Sequence, residues 1–296
     1  MQLRTKFFSN TPRLPLGSVA IFVPGPAALS YNFNSEVFAA TTSLPAAPDA
    51  GRALGAASYY DATIFSAVSS GTVRYGFAAR SMTYSTALQI FHGAQCVGNN
   101  VLAIMGASPT SPYTSNKYVY ASAATSTGPV MPWTAGSSNN NNKGQAMGNL
   151  TVALLPRYNF STSIARYVYS SDTAVLSSIS IGGGPRAGAC LSTATFGIIK
   201  TDMSALGTIK CIFASDTQTA GANLPALPPN SSNGAEAAGA AGNDAYGLFM
   251  SSTGANTPMI GSKYVYSSEV TSVGSSISAS SLTSATGSNG ITGVNA

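Results

Sequence analysis

Ionisable side chains are scarce in this chain: 14 basic and 9 acidic residues in 296. Those that occur fall at repeated places. Asp172, Asp216 and Glu269 each stand six residues after a cation, Arg166, Lys210 and Lys263 respectively. Two carboxylates can hydrolyse a glycosidic bond when they face each other about 5–9.5 Å apart across a cleft. Acids at one position of a repeat are instead held apart, which implies a structural use: a side-chain bond to the backbone of a turn, or an ion-pair ladder between neighbouring units. His92 is the single histidine; with no second imidazole and no acid beside it, neither a metal site nor a triad is expected. Cys96, Cys190 and Cys211 show no CxxC spacing, and an odd number cannot form a fully paired disulfide framework. The glycines of Gly182-Gly183-Gly184-Pro185-Arg186 have no Lys-Ser/Thr after them, so no phosphate loop is present. No cofactor is expected, and the chain reads as a non-enzyme. Aromatic side chains are the better candidates for recognition, since a flat apolar face with a polar tip suits sugars and protein partners. Tyr59, Tyr60, Tyr84, Tyr113 and Trp133 are the aromatics expected in loops.

The elements that position these residues repeat. Lys263-Tyr264-Val265-Tyr266-Ser267-Ser268 is matched by Arg166-Tyr167-Val168-Tyr169-Ser170-Ser171 and Lys117-Tyr118-Val119-Tyr120-Ala121-Ser122. Weaker copies centre on Cys211, Tyr75 and Tyr31. From Tyr75 through Tyr118, Tyr167 and Cys211 to Tyr264 the steps are 43, 49, 44 and 53 residues. A Gly-Asn or similar turn precedes each apolar strand ahead of the marker, at Asn99, Asn149 and Asn243. An apolar residue returns about thirteen positions after each marker: Leu44, Leu88, Met131, Ile179, Leu224 and Ile277. Tyr75, Tyr118, Tyr167, Cys211, Tyr264, Asn99, Asn149 and Asn243 are therefore the repeat-defining residues. Tyr-x-Tyr places both rings on one strand face, and burial between units is expected for most of them.

Short Val/Ile/Tyr/Phe runs bounded by Gly, Asn, Pro and Ser read as strands and turns, and helical periodicity is absent. Units of about 45 residues that cannot bury both faces alone must stack, which is the pattern of propeller blades. Counting Tyr31, Tyr75, Tyr118, Tyr167, Cys211 and Tyr264 predicts an all-β, six-bladed propeller closed by pairing of N- and C-terminal strands. The alternative is a jelly roll or double β-sandwich of capsid type. Residues 1–26, with Pro12 and Pro15, read as an extended N-terminal arm, and 27–296 as the propeller. Charged residues make up only 8% of the chain and form no basic cluster, which argues against a nucleic-acid groove. Gly17 to Leu29 is too short and too broken by Pro24 and Pro26 to span a bilayer as a helix, and it is a poor match to a signal peptide.

Units of the form small-small-Gly-Asn, strand, Lys/Arg-Tyr-x-Tyr-Ser/Ala-Ser and Leu resemble the kelch-like propeller repeats of phage tail-fibre and environmental surface proteins. The best-matching segments are Gly144 to Ile181 and Ala241 to Ile277. Regular Gly-Gly doublets, a paired Tyr and Trp, and a WD dipeptide are missing. The resemblance implies a virion or cell-surface location and a structural role: capsid or tail decoration, or host attachment. The implied partners are subunits of a larger assembly, such as phage virion proteins, or surface glycans. The alternatives are a carbohydrate-binding lectin and a jelly-roll coat protein.

Overall fold

The computed structural model describes residues 19–22, 29–40, 53–59, 62–67, 71–76, 81–87, 96–105, 113–132, 145–156, 163–181, 189–200, 207–225, 236–252, 259–277 and 293–295. Its strands form antiparallel sheets of four. The first sheet holds β1 (Val19–Phe22), β2 (Leu29–Asn32) and β3 (Val37–Ala40). The second holds β4 (Ala53–Tyr59), β5 (Ala62–Ala67), β6 (Gly71–Gly76) and β7 (Ser81–Ala87). The third is β8 (Cys96–Gly98), β9 (Leu102–Met105), β10 (Thr114–Val119) and β11 (Ala124–Val130). The fourth is β12 (Met147–Gly148), β13 (Val152–Pro156), β14 (Ser163–Val168) and β15 (Thr173–Ser180). The fifth is β16 (Ala189–Ser192), β17 (Phe196–Lys200), β18 (Thr208–Ile212) and β19 (Thr217–Ala220). The sixth is β20 (Glu236–Gly242), β21 (Tyr246–Ser252), β22 (Met259–Val265) and β23 (Val270–Ile277). The last strand, β24 (Gly293–Asn295), lies against β1 as the fourth member of the first sheet.

Each sheet runs in simple up-and-down order. The leading strands touch in turn: β4 touches β8, β8 touches β12, β12 touches β16, β16 touches β20, β20 touches β24, and β24 touches β4. The order β24-β1-β2-β3 joins the two ends of the chain, with Ala20 opposite Asn295 and Ile21 opposite Val294. Within the segment read as an arm, Val19–Phe22 is thus a sheet strand. The jelly-roll alternative fails on the connectivity, because every strand pairs with its sequence neighbour apart from β24.

The core lies between sheets and is divided seam by seam. Leu155 and Tyr167 pack with Val97 and Ile104 between the third and fourth sheets. Leu154 packs on the opposite side with Ile199 and Cys211. Neighbours in one strand therefore bury on opposite faces, which explains why the second strands read as unbroken apolar runs, all five residues of β13 being buried. Leu191 meets Phe249 and Tyr264 at the next seam, and Leu248 meets Tyr31 and Phe33 at the one after. The repeat markers Tyr31, Tyr118, Tyr167, Cys211 and Tyr264 are all nearly inaccessible and all sit on the third strand of a sheet. Tyr75 holds the same register on β6, opposite Met82. The returning Met131, Ile179, Leu224 and Ile277 are buried as well.

None of the three cysteines is in a disulfide, and all three are buried. Burial pushes the Cys211 thiol up to about 12 and Cys96 higher still. Since the thiolate is the reactive species, a thiol reagent is expected to modify none of the three in the native chain and all three in denaturant. Labelling followed by mass spectrometry checks this.

Candidate functional site

The first-to-second and third-to-fourth strand turns emerge on one end of the ring, because the strands alternate in direction. Asn99 closes the first kind of turn: its Oδ1 accepts from the amides of Val101 (2.8 Å) and Leu102 (3.0 Å). Asn149 does the same for Thr151 and Val152, and Asn243 for Ala245 and Tyr246. Thr193 substitutes in the fifth sheet, with Oγ1 accepting from Thr195 and Phe196. The spare amide groups link neighbouring sheets: Asn99 Nδ2 donates to Leu150 O (3.4 Å) and Asn149 Nδ2 to Ala194 O (2.9 Å). Just before two of these asparagines, Gly98 and Gly242 make room for a tyrosine hydroxyl. A Cβ there would stand 2.2 Å from Tyr120 Oη and 2.1 Å from Tyr266 Oη.

The second kind of turn ends on a residue with left-handed backbone. Glu36, Ala123, Asp172, Asp216 and Glu269 have φ of 55, 51, 53, 54 and 53°, a region that costs non-glycine residues roughly 1–2 kcal/mol. The carboxylates do not bond their own turns, as the sequence suggested they could. Each reaches the cation of the preceding sheet. Lys117 Nζ meets Asp172 Oδ2 at 2.5 Å, Arg166 Nε meets Asp216 Oδ1 at 3.8 Å, and Lys210 meets Glu269. Lys263 meets Glu36 at 2.5 Å, so the last repeat grips the first. Two of the cations also lie over aromatic faces: Lys210 over Phe196 at 4.4 Å and Lys263 over Tyr246 at 4.1 Å. The seam between the sixth and first sheets is further held by Tyr246 Oη donating to Phe33 O (2.7 Å) and Ser275 Oγ to Glu36 O (2.6 Å).

Asp172 shows the electrostatic consequence. The hydrogen bond from Lys117, with a further one from Tyr167, holds its carboxyl below the usual range against a smaller opposing effect of burial. A folded-state pKa below the unfolded value of about 4 gives stability that is full above that pH. It is lost as pH falls through the depressed value. Lys117→Ala is expected to flatten this part of the acid limb of the stability curve, measured by urea unfolding between pH 5 and the acid end.

Two of the six rungs are missing from the ladder among the described residues: the first unit has Ser30 at the cation position, and the third has Ala123 at the acid position. Arg74 stands at the cation position of β6, but the matching place in the next sheet is Ala123. Ala123→Asp is expected to add up to about 1 kcal/mol, as for an exposed pair. The gain should vanish in high salt and in an Arg74→Ala background; thermal unfolding reads both.

A single residue, Gln145, links three sheets near the axis. Its Oε1 accepts from Cys190 N (3.0 Å) and Ala240 N (2.7 Å), and its Nε2 donates to Ala240 O (2.9 Å). Gln145 precedes β12, Cys190 is on β16 and Ala240 on β20, so one buried side chain fastens the leading strands of the next two sheets. In sequence Gln95 holds the same place, four residues before Asn99 as Gln145 is before Asn149, but it lies outside the described residues.

Among the residues expected to recognise a ligand, Tyr113 is buried at the seam with Ala153 and Tyr167, and so is a core residue. Tyr59 ends β4 opposite Ala62, the place that Asn99 takes in the third sheet. Tyr84 is paired with Val73 on the outer strand β7. Tyr60, Trp133 and His92 lie outside the described residues. So do the runs Ser137 to Asn142 and Pro228 to Gly234. Among the described residues no group of three or more His, Cys, Asp or Glu could hold a metal ion. Among them, too, no helix is long and apolar enough to cross a membrane.

No family model matches the chain, and no curated protein sequence matches it. In three dimensions it is similar to a chain from the crystal structure of a nidogen/laminin complex. The TM-score is 0.63 with 8% sequence identity, over 93% of this chain and 97% of that one. That identity bears on architecture alone. The fold is an all-β propeller. The kelch-like, tail-fibre resemblance continues to rest on the sequence pattern.

Proposed function

We propose that this chain is a non-enzymatic propeller module of a virion or cell-surface assembly, with its six sheets acting as blades of one closed ring. The observation that carries the reading is where the charge goes. Glu36, Asp172, Asp216 and Glu269 are each engaged by a cation from the neighbouring sheet. Carboxylates that could serve acid–base chemistry are thereby used as fasteners between blades. Pairing of β24 with β1 and the Lys263–Glu36 contact support closure, since a closed ring leaves few sheet edges open. The fourth strands end, and the next leading strands begin, at the end opposite the Asn-capped turns, and connections on a rigid repeat scaffold are the usual place for contact with a partner. The partner is then a subunit of the larger assembly.

The test is co-purification. Antibody raised against the chain should label intact particles or cell surfaces, and the chain should sediment with them. A chain found only in the soluble fraction overturns the assembly role. Binding of the isolated chain to a glycan array replaces the reading with that of a lectin. Polysaccharide hydrolysis lost on Asp172→Asn replaces it with that of an enzyme.

A further inference from the structure

We infer, from the order of the sheets around the ring and independently of the partner proposed above, that the second sheet opens as a unit while the other five hold. Its opening uncovers the face of the third sheet that bears Cys96, Met105 and Tyr118. The two gaps in the ion-pair ladder lie side by side. Rungs fasten the four seams from the third sheet round to the first. The seam between the first and second sheets has Ser30 at its cation place, and in sequence its acid place is Arg80, five residues after Tyr75 as Asp172 is after Tyr167. The seam between the second and third sheets has Arg74 at the cation place and Ala123 at the acid place. The second sheet is therefore the one sheet whose residue types allow no rung on either side.

The turn amides break off at the same sheet. Asn99 and Asn149 each reach forward to a carbonyl of the next sheet. The second sheet has Tyr59 at that place, with no amide to donate. The seam where the chain ends meet is tied several times over instead, by Lys263 to Glu36, Tyr246 to Phe33 and Ser275 to Glu36, and by the pairing of β24 with β1. The ring is thus weakest at an internal sheet and not at its closure.

The three thiols report on two different seams. Cys96, Ala103, Met105, Tyr118 and Tyr120 form a buried cluster drawn from the third sheet alone. Val97 and Ile104 of the same strands face the fourth sheet, so the cluster faces the second, whose leading strand β4 touches β8. Cys190 and Cys211 lie with Met147 between the fourth and fifth sheets, a seam that keeps its rung. A sheet that leaves the ring buries neither face, and a sheet needs a packed apolar face to persist. The strands of the second sheet therefore lose their order as they leave. Openings of this kind occur below the free energy of global unfolding, in cooperative units.

Brief labelling leaves all three thiols untouched; prolonged incubation with a thiol reagent counts the rare openings. At low salt Cys96 is expected to label about tenfold faster than Cys190 and Cys211, for two missing rungs of modest strength. Its rate should also rise less steeply with urea, because less surface is exposed than in global unfolding. Native-state hydrogen exchange should place the same opening in the amides of β6, ahead of those of β14, β18 and β22. Ala123→Asp, which supplies the acid opposite Arg74, should slow the labelling of Cys96 alone by up to about fivefold, and high salt should abolish that gain. Equal labelling of the three thiols with one urea dependence overturns the inference, since all are then reached only by global unfolding. Exchange in which β1 opens ahead of β6 overturns it too, because the ring then parts at its closure. So does a Cys96 rate that Ala123→Asp leaves unchanged at low salt.

Discussion

Deleting residues 293–296 should destabilise the whole ring, not only its last strand. β24 supplies the leading strand of the first sheet and contacts both β20 and β4. Its loss leaves one edge of β1 unpaired along Ala20, Ile21 and Phe22. At about 1 kcal/mol per net hydrogen bond, and more for each buried group left without a partner, the cost is more than about 3 kcal/mol. The transition should remain single, because the seam cores couple each sheet to the next. Urea unfolding followed by tyrosine fluorescence and by far-UV circular dichroism reads both the midpoint and the coincidence of the two probes. An unchanged midpoint would mean that the ends of the chain do not close the ring.

Gln145→Ala is expected to be the most costly single substitution away from the apolar core. It leaves Cys190 N, Ala240 N and Ala240 O without their partner in a buried place. Orphaned buried groups cost about 1–3 kcal/mol each, so the loss is on the order of 3 kcal/mol. Gln145→Glu gives a sharper test. The carboxylate still accepts from both amides but cannot donate to Ala240 O, and burial penalises its charge. Protonation restores a donor. Relative to the parent protein at the same pH, the deficit of Gln145→Glu should shrink as pH falls toward about 4. A deficit that does not vary with pH would mean that this side chain does not bridge the leading strands.

The parts of this architecture that repeat were legible in the sequence, and those that occur once were not. Tyr118, Tyr167, Cys211 and Tyr264 share a position because each fills the same seam from the third strand, so their chemistry is repeated with their environment. Asn99, Asn149 and Asn243 repeat because the same two-residue turn needs an acceptor aimed at its amides. The cation–acid ladder was visible as a spacing, but its partners were not. Cation and acid of one unit stand six residues apart and bond to different neighbours. Glu36 escaped notice as the fourth acid because its own unit, around Tyr31, has Ser30 in place of a cation. Gln145 is matched only by Gln95, each four residues before the turn asparagine, a pattern of two units that does not single it out. Tyr113 looked like a loop aromatic after Pro112, yet the strand that starts at Thr114 draws it into the seam. Val19–Phe22 was readable as an apolar strand. Its place in the body follows only from the partner it finds at the far end of the chain.

Closure of the ring by the two ends of the chain can be measured directly by cross-linking. Ile21 and Val294 face each other across β1 and β24, and facing residues of an antiparallel pair have Cα atoms about 4.5–5.5 Å apart, within reach of a disulfide. In an Ile21→Cys, Val294→Cys variant, the three native cysteines are buried and do not compete. Mild oxidation should give one intramolecular disulfide between positions 21 and 294, identified by peptide mapping, in nearly every chain and at any protein concentration. Free thiols at both positions, or disulfides that form only between chains, would contradict a ring fastened by its own two ends.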